Sequence, residues 1–266
     1  MYIKPTDGYV EVNGVRLHYQ EWGEPSHPDM LLVHGWSTAA PLWHEVAEEL
    51  AQNYHIIVPD NRGNGESMLP SDGFRLSDFA EDMIQMIGKL DLFMPVFVGN
   101  SWGANIGTYI AAERPDLISA AFLEDPVYWK MIDAFITIVP PIINRRDQHP
   151  DKIRAAALAR DLSIDRAERE VYLFRHFSPD VLTKVATLNR DWALTCDQFL
   201  SRILVPTLVL VADSDAGGYI TPEEISHHRS TASDQVRFHV WKGVGHMMHS
   251  VHPGRFVNEL REFLNQ

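Results

Sequence analysis

Gly99-x-Ser101-x-Gly103, inside "VFVGNSWGANIG" (96–107), puts a hydroxyl between two glycines where an apolar run meets a helix-like stretch. A chain that turns from strand to helix within two residues forces the corner residue into strained backbone angles. Glycines two positions to either side remove the side chains that would collide there. A serine at such a corner stands above the sheet edge, beside the first N–H groups of the helix, which stabilise developing negative charge. The chemistry this suits is nucleophilic attack by Ser101 on a carbonyl carbon. The same pattern also arises by chance, and many serines only cap helices. Two further parts are therefore required: a second oxyanion donor on another loop, and a distant histidine with a carboxylate.

Both have counterparts in the sequence. His34-Gly35-Trp36 follows the run "MLLV", so the Trp36 N–H can serve as one oxyanion donor and the Trp102 N–H as the other. Late in the chain, "WKGVGHMMHS" (241–250) sets His246 directly after Gly245, at the end of a strand-like run. Serine first and histidine last is one of the chain orders in which such a triad occurs. His249 and His252 lie nearby and read as surface histidines or a weak metal cluster. No acidic or sulfur ligand stands beside them, so no metal is expected. The chemistry needs no cofactor.

These residues must be held by a sheet. "YVEV" and "VRLHYQEW" alternate and are joined by Asn13-Gly14, a strong signal for a tight hairpin. The runs at 29–35, 54–60, 95–100 and 118–125 are continuous and apolar, as expected of strands buried on both faces. Helical patterns over Pro41 to about Gln52, 75–90 and 102–115 separate them. Residues 127–201 then read as mostly helical and aromatic-rich. Alternation resumes with strands at 206–213 and 236–243 and helices at 221–230 and 253–264. The expectation is an α/β fold: a mostly parallel eight-stranded sheet with helices on both faces and a helical cap inserted after the sixth strand. Residues 1–126 and 202–266 would form the core, and 127–201 the cap.

Composition narrows the partners. Hydrophobic residues at 45% and charged residues at 22% are ordinary for a globular chain. The most apolar long stretch, "MIDAFITIVPPII" (131–143), contains an aspartate and two prolines, which argues against a membrane span. A net charge of −13 disfavours nucleic acid and anionic membranes. The opening residues lack a secretory pattern, and a single cysteine, Cys196, fits a reducing compartment. A cytoplasmic protein acting on a small molecule is expected; composition leaves its oligomeric state open.

"HGW" after one strand, "DNRGNGES" (60–67) after the next, "GNSWG" and the late "GVGH" together resemble the α/β-hydrolase fold family over essentially the whole chain. The resemblance implies a Ser-His-Asp hydrolase acting through an acyl-enzyme. It gives Arg62, Gly63 and Gly65 structural duties. It also implies two positions for the acid, after the strand before the cap or after the strand that follows it. These are Asp125 in "FLEDPVYW" and Asp213 or Asp215 in "VADSDAGGYITP". "EDP" at the cap junction resembles the subgroup with the earlier acid, and Asp125 would end a buried strand. Asp125 is preferred, with Asp215 as its rival.

The substrate class implied is a small ester, lactone or amide. "GNSWG" with "EDP" is similar to hydrolases of amide-bearing dicarboxylates such as (acetamidomethylene)succinate hydrolase. For such a substrate Tyr128, Trp129, Arg145 and Arg146 are binding candidates, with Arg160 and Arg166 as further arginines. Two other classes share the fold. Cofactor-independent dioxygenases of hydroxy-oxoquinolines would use His246 as a general base, although they carry a histidine where Trp102 stands. A ligand receptor on the same scaffold is the remaining alternative.

Overall fold

The computed structural model describes residues 4–128 and 131–266. Asn13 and Gly14 both take positive φ, 46° and 72°, so the turn between β1 (Thr6–Val12) and β2 (Val15–Trp22) matches the twist of a hairpin. From there the continuous apolar runs become β3 (Asp29–Val33), β4 (His55–Pro59), β5 (Val96–Asn100) and β6 (Ala120–Glu124). After a block of helices come β7 (Thr207–Ala212) and β8 (Val236–Trp241). The eight strands lie in the order β1-β2-β4-β3-β5-β6-β7-β8. Every pairing from β4 to β8 is parallel, and β1–β2 and β2–β4 are antiparallel. This is the architecture expected from the alternating strands and helices.

Strand side chains alternate between two buried layers. Leu31, Val33, Phe97 and Leu123 meet α2 (Leu76–Lys89) and α3 (Trp102–Glu113) on one face. Met30, Leu32, Val58 and Phe122 meet α1 (His44–Leu50) and α11 (Pro253–Leu264) on the other. The first helix departs from the expected span of Pro41 to about Gln52. It opens as a 3-10 turn, Ala40–Trp43, because the Ala40 N–H donates to the Asp60 carboxylate (2.6 Å) and Pro41 has no N–H to offer.

Between β6 and β7 the described residues form α4 (Met131–Arg146), α5 (Pro150–Leu158), α6 (Ile164–Arg175), α7 (Pro179–Leu188) and α8 (Arg190–Leu200). A bridge between Asn64 and Phe177 ties this block to the loop after β4. That loop is rigid for its own reasons. Arg62 is buried in an ion pair with Asp82 (2.5 Å), and Asp60 accepts bonds from His18 (2.7 Å), the Ala40 N–H (2.6 Å) and the Glu66 N–H (2.9 Å). Among the described residues no helix is long and apolar enough to cross a membrane.

α3 approaches the sheet closely. A Cβ on Gly103 would lie 2.1 Å from the Val33 carbonyl oxygen, whereas a Cβ on Gly88, exposed in α2, would meet nothing within 4 Å. Gly103→Ala is therefore expected to cost at least about 2 kcal/mol. Gly88→Ala should gain roughly 0.5–1 kcal/mol through helix propensity. Scanning calorimetry checks both: a Tm loss of roughly 4–8 °C for the first and a small rise for the second. Equal effects of the two substitutions would contradict this packing.

Candidate active site

Ser101 caps α3 with φ 54° and ψ −115°, a backbone conformation that side chains rarely adopt. Its own N–H completes the sheet by donating to the Glu124 carbonyl (2.8 Å), and its carbonyl receives the Ala104 and Asn105 N–H groups (2.9 and 3.1 Å). Trp102 opens the helix, so its N–H has no carbonyl one turn back and remains available near the serine. The loop after β3 crosses close by. A Cβ on Gly35 would be 2.9 Å from the Ser101 Cβ, so only glycine lets Trp36 follow at this distance.

His34 fixes that loop. Its Nε2 accepts the Asn61 N–H (2.9 Å), which leaves the proton on Nδ1 to donate to the Gly35 carbonyl (2.7 Å). Complete burial pushes the imidazole below its ordinary pKa and keeps it neutral. The Trp36 and Trp102 rings pack 5.9 Å apart, and Trp102 meets Phe79 edge-on.

Asp125 follows β6 with φ 40° and is fully buried. Its carboxylate accepts the N–H of Ala212 (3.2 Å), the N–H of Tyr219 (3.1 Å) and His246 Nδ1 (2.7 Å). Three donors compensate a buried charge that would otherwise be costly. The Tyr219 ring lies 4.0 Å from the His246 ring. Just downstream, Asn105 grips the backbone of Val127 through both its amide atoms, at 2.7 Å each, and so pins the chain leaving Asp125 against α3.

Asp215, the rival acid, is displaced from this arrangement. The Asp213 carboxylate accepts the N–H groups of Asp215 (3.2 Å) and Gly243 (2.9 Å), which closes a 3-10 turn, Ser214–Ala216. Asp215 is left exposed on that turn. His246 pairs with Asp125 instead.

Ser101 and His246 line one cavity of about 600 Å³, together with Trp36, Asn100 and Tyr219. Residues of α4 and α6 and of the loop between α5 and α6 also line it, and they are rich in arginine. Arg145, Arg160, Arg166 and Arg169 line it, against two carboxylates, Glu45 and Glu170. Arg145 and Arg160 share Glu170, and Arg166 and Arg169 share Glu45. Burial alone would raise the Glu45 carboxyl, but the two guanidiniums outweigh it and hold the group below the usual range. The adjacent His44 is pushed down to about 4, first by burial and then by Arg169, so it adds no charge at neutral pH.

Two binding candidates fall elsewhere. Tyr128 is buried in the core and hydrogen-bonds Thr108 (2.8 Å), because the Asn105 clamp one residue earlier turns it inward. Arg146 faces the Phe177 carbonyl (3.2 Å) and Asp147 (2.9 Å), away from the cavity lining. Trp129 lies outside the described residues. His249, expected at the surface, is buried against Glu124 (2.5 Å). Sequence reasoning also passed over Arg169 and Tyr219; the acidic pair Glu124-Asp125 at a strand end was the one local sign of buried charge there.

Among the described residues, one group of metal-type ligands gathers, Cys196, Asp197 and His228, with donor atoms within 4.8 Å of one another. It joins α8 to α9 (Pro222–Thr231), where Asp197 already accepts from His227 (2.8 Å), His228 (2.7 Å) and Thr231 (3.2 Å). None of the three lines the cavity.

Residues 28–140 match the family model described as the alpha/beta hydrolase fold. A soluble epoxide hydrolase of Corynebacterium sp. (strain C12) is 30% identical over 178 residues, 65% of this chain and 61% of that protein. A bifunctional esterase/perhydrolase of Acinetobacter calcoaceticus is 28% identical over 146 residues, 54% of this chain and 49% of that protein. The matched segments thus span about half to three fifths of these relatives. Among solved structures, E-2-(acetamidomethylene)succinate hydrolase superposes with a TM-score of 0.85 at 20% identity, covering 99% of this chain and 100% of that one. At that identity the likeness is one of fold.

The acid can be tested without a substrate. A 2.7 Å imidazole–carboxylate bond should give a proton resonance at low field, assigned by its loss in His246→Ala. Asp125→Asn is expected to abolish it and Asp215→Asn to leave it in place. The opposite pattern would return Asp215 to the site.

Proposed function

We propose that this chain, whose residues 28–140 match the alpha/beta hydrolase fold model, is a serine hydrolase acting through an acyl-enzyme on Ser101. The observation that carries the reading is the arrangement of three groups. Asp125 is buried and bonded to His246 Nδ1, and His246 and the strained Ser101 line the same cavity. With Nδ1 committed to Asp125, the Nε2 of His246 is the atom left to take the Ser101 proton as the hydroxyl attacks a carbonyl carbon. Asp125 holds the tautomer and stabilises the imidazolium that forms. The Trp36 and Trp102 N–H groups receive the tetrahedral oxyanion. Removing one such donor typically costs roughly 10²- to 10³-fold in rate. His246 then returns the proton to the leaving group, and water releases the acyl group by the same steps in reverse.

The arginines that line the cavity suggest the substrate class. Among the described residues, four guanidiniums against two carboxylates line the cavity of about 600 Å³, an excess of two positive charges. A small ester, lactone or amide that itself carries one or two carboxylates fits this balance. The name of the structural neighbour, an (acetamidomethylene)succinate hydrolase, describes a substrate of this kind for that protein.

The reading is tested with two aryl esters, p-nitrophenyl acetate and the monoanionic p-nitrophenyl hemisuccinate. Wild type should hydrolyse both and favour the anion, and Ser101→Ala should hydrolyse neither above background. Arg166→Ala should lower kcat/KM for the anionic ester by roughly 10- to 100-fold, as for loss of a charged hydrogen bond, and leave the neutral ester within about twofold. Equal losses on both esters would remove the carboxylate from the substrate class. Turnover that survives Ser101→Ala would contradict the nucleophile.

A further inference from the structure

The strand that presents Asp125 presents a second buried carboxylate immediately before it. Glu124, the last residue of β6, is fully buried, and its side chain makes two bonds to a single residue of the His246 loop. Oε1 accepts the His249 backbone N–H at 2.9 Å, and Oε2 meets His249 Nδ1 at 2.5 Å. His249 belongs to the short helix α10 (Met248–Val251), three residues after His246. Its ring is clamped as well, stacked on Trp43 at 4.1 Å and met by Phe256 from the side at 5.8 Å. Adjacent acids at one strand end therefore grip two histidines of one loop, Asp125 holding His246 and Glu124 holding His249.

A buried carboxylate costs several kcal/mol to desolvate, and an apolar pair of the same shape often packs as stably. Packing alone therefore gives no reason for this pair. Its geometry differs from that of an apolar contact in one respect, which is direction. Two bonds to one carboxylate fix both the backbone height and the ring angle of His249. Among the described residues the buried His249 Nε2 has no hydrogen-bond partner, while Nδ1 faces the Glu124 carboxylate, so the proton belongs on Nδ1. On the near side of His246, the backbone is held at Val244, whose carbonyl receives the Asp213 N–H (2.8 Å). On the far side the direct tie to the sheet is Glu124.

We infer that Glu124, acting through His249, is a positioning residue for His246, fixing the loop so that the imidazole meets Asp125 and Ser101 in one geometry. This rests on the reading of Ser101 as nucleophile and His246 as its base. His249 borders the cavity, but both of its bonds to Glu124 are made to the end of β6, so the effect is expected on the rate of the chemical step and not on binding.

The test compares Glu124→Gln, His249→Leu and His249→Asn on the full chain. Glutamine replaces one acceptor oxygen by a donor, so it cannot accept both bonds. Leucine keeps bulk without a donor. Asparagine places its amide nitrogen where the imidazole Nδ1 stands and can still donate to Glu124, so it is the rescue variant. Two readouts are taken at a temperature where circular dichroism shows each variant folded. One is the low-field His246 Nδ1 proton, and the other is labelling of Ser101 by a fluorophosphonate, resolved into a binding constant and a maximal rate.

The expected result is a maximal rate lower by roughly 10- to 100-fold in Glu124→Gln and His249→Leu. Their binding constants should stay near the wild-type value, the low-field resonance should be broadened or lost, and both readouts should recover in His249→Asn. Folded variants with wild-type rate and resonance would overturn the inference, as would His249→Asn behaving like His249→Leu. If Glu124→Gln does not fold, the leucine–asparagine comparison decides alone. If wild type does not label at all, the nucleophile reading fails, and the resonance still decides whether Glu124 positions His246.

Discussion

The backbone of Ser101, held at φ 54° and ψ −115°, is the constraint on which the rest of this structure depends. A residue reaches that region only where its surroundings over-determine it. Here they do so from three sides. The Ser101 N–H is committed to β6, its carbonyl to the first turn of α3, and α3 is pressed onto β3 so closely that position 103 has no room for a Cβ. The loop after β3 must then pass the serine at near-contact distance, which requires Gly35 and a buried, neutral His34 to hold its shape. Each of these features would be a local oddity alone. Together they bring the loop that carries Trp36 up against Ser101 at the start of α3.

Buried charge is the second organising theme. Asp60, Asp82, Glu124 and Asp125 are all fully buried, and each is matched by directed donors. Asp60 and Asp82 stiffen the loop after β4, and Glu124 and Asp125 stiffen the loop after β8. Charges in a low-dielectric interior act over longer range and tolerate less misplacement than exposed pairs. The arginine wall of the cavity is different in kind, half-exposed and shared between two glutamates, and suits an incoming anion that can compete for its donors.

Much of this was legible in the sequence because it is written locally. Continuous apolar runs mark β3 to β7, Asn13-Gly14 marks the hairpin, and the glycine spacing around Ser101 marks the corner. The acid was harder to read because Asp125 and Asp215 both follow a buried strand. What separates them is a bond from Gly243, some thirty residues away in the chain, to Asp213, which folds Asp215 outward. Tyr128 and Arg146 carried the right chemistry for a ligand, but the phase of each side chain is set by neighbours distant in sequence, Asn105 for the one and Phe177 for the other. The burial of His249 has the same origin: nothing in "GHMMHS" announces Trp43 stacked on the ring or Glu124 at its Nδ1 edge.

The central claim is that one serine is activated by one histidine–aspartate pair. Intact-mass spectrometry after brief exposure to a fluorophosphonate tests it directly, on wild type, Ser101→Ala and His246→Ala. The account predicts a single adduct on wild type that maps to Ser101, none on Ser101→Ala, and almost none on a folded His246→Ala. No adduct on folded wild type, or an equal adduct on His246→Ala, would contradict it.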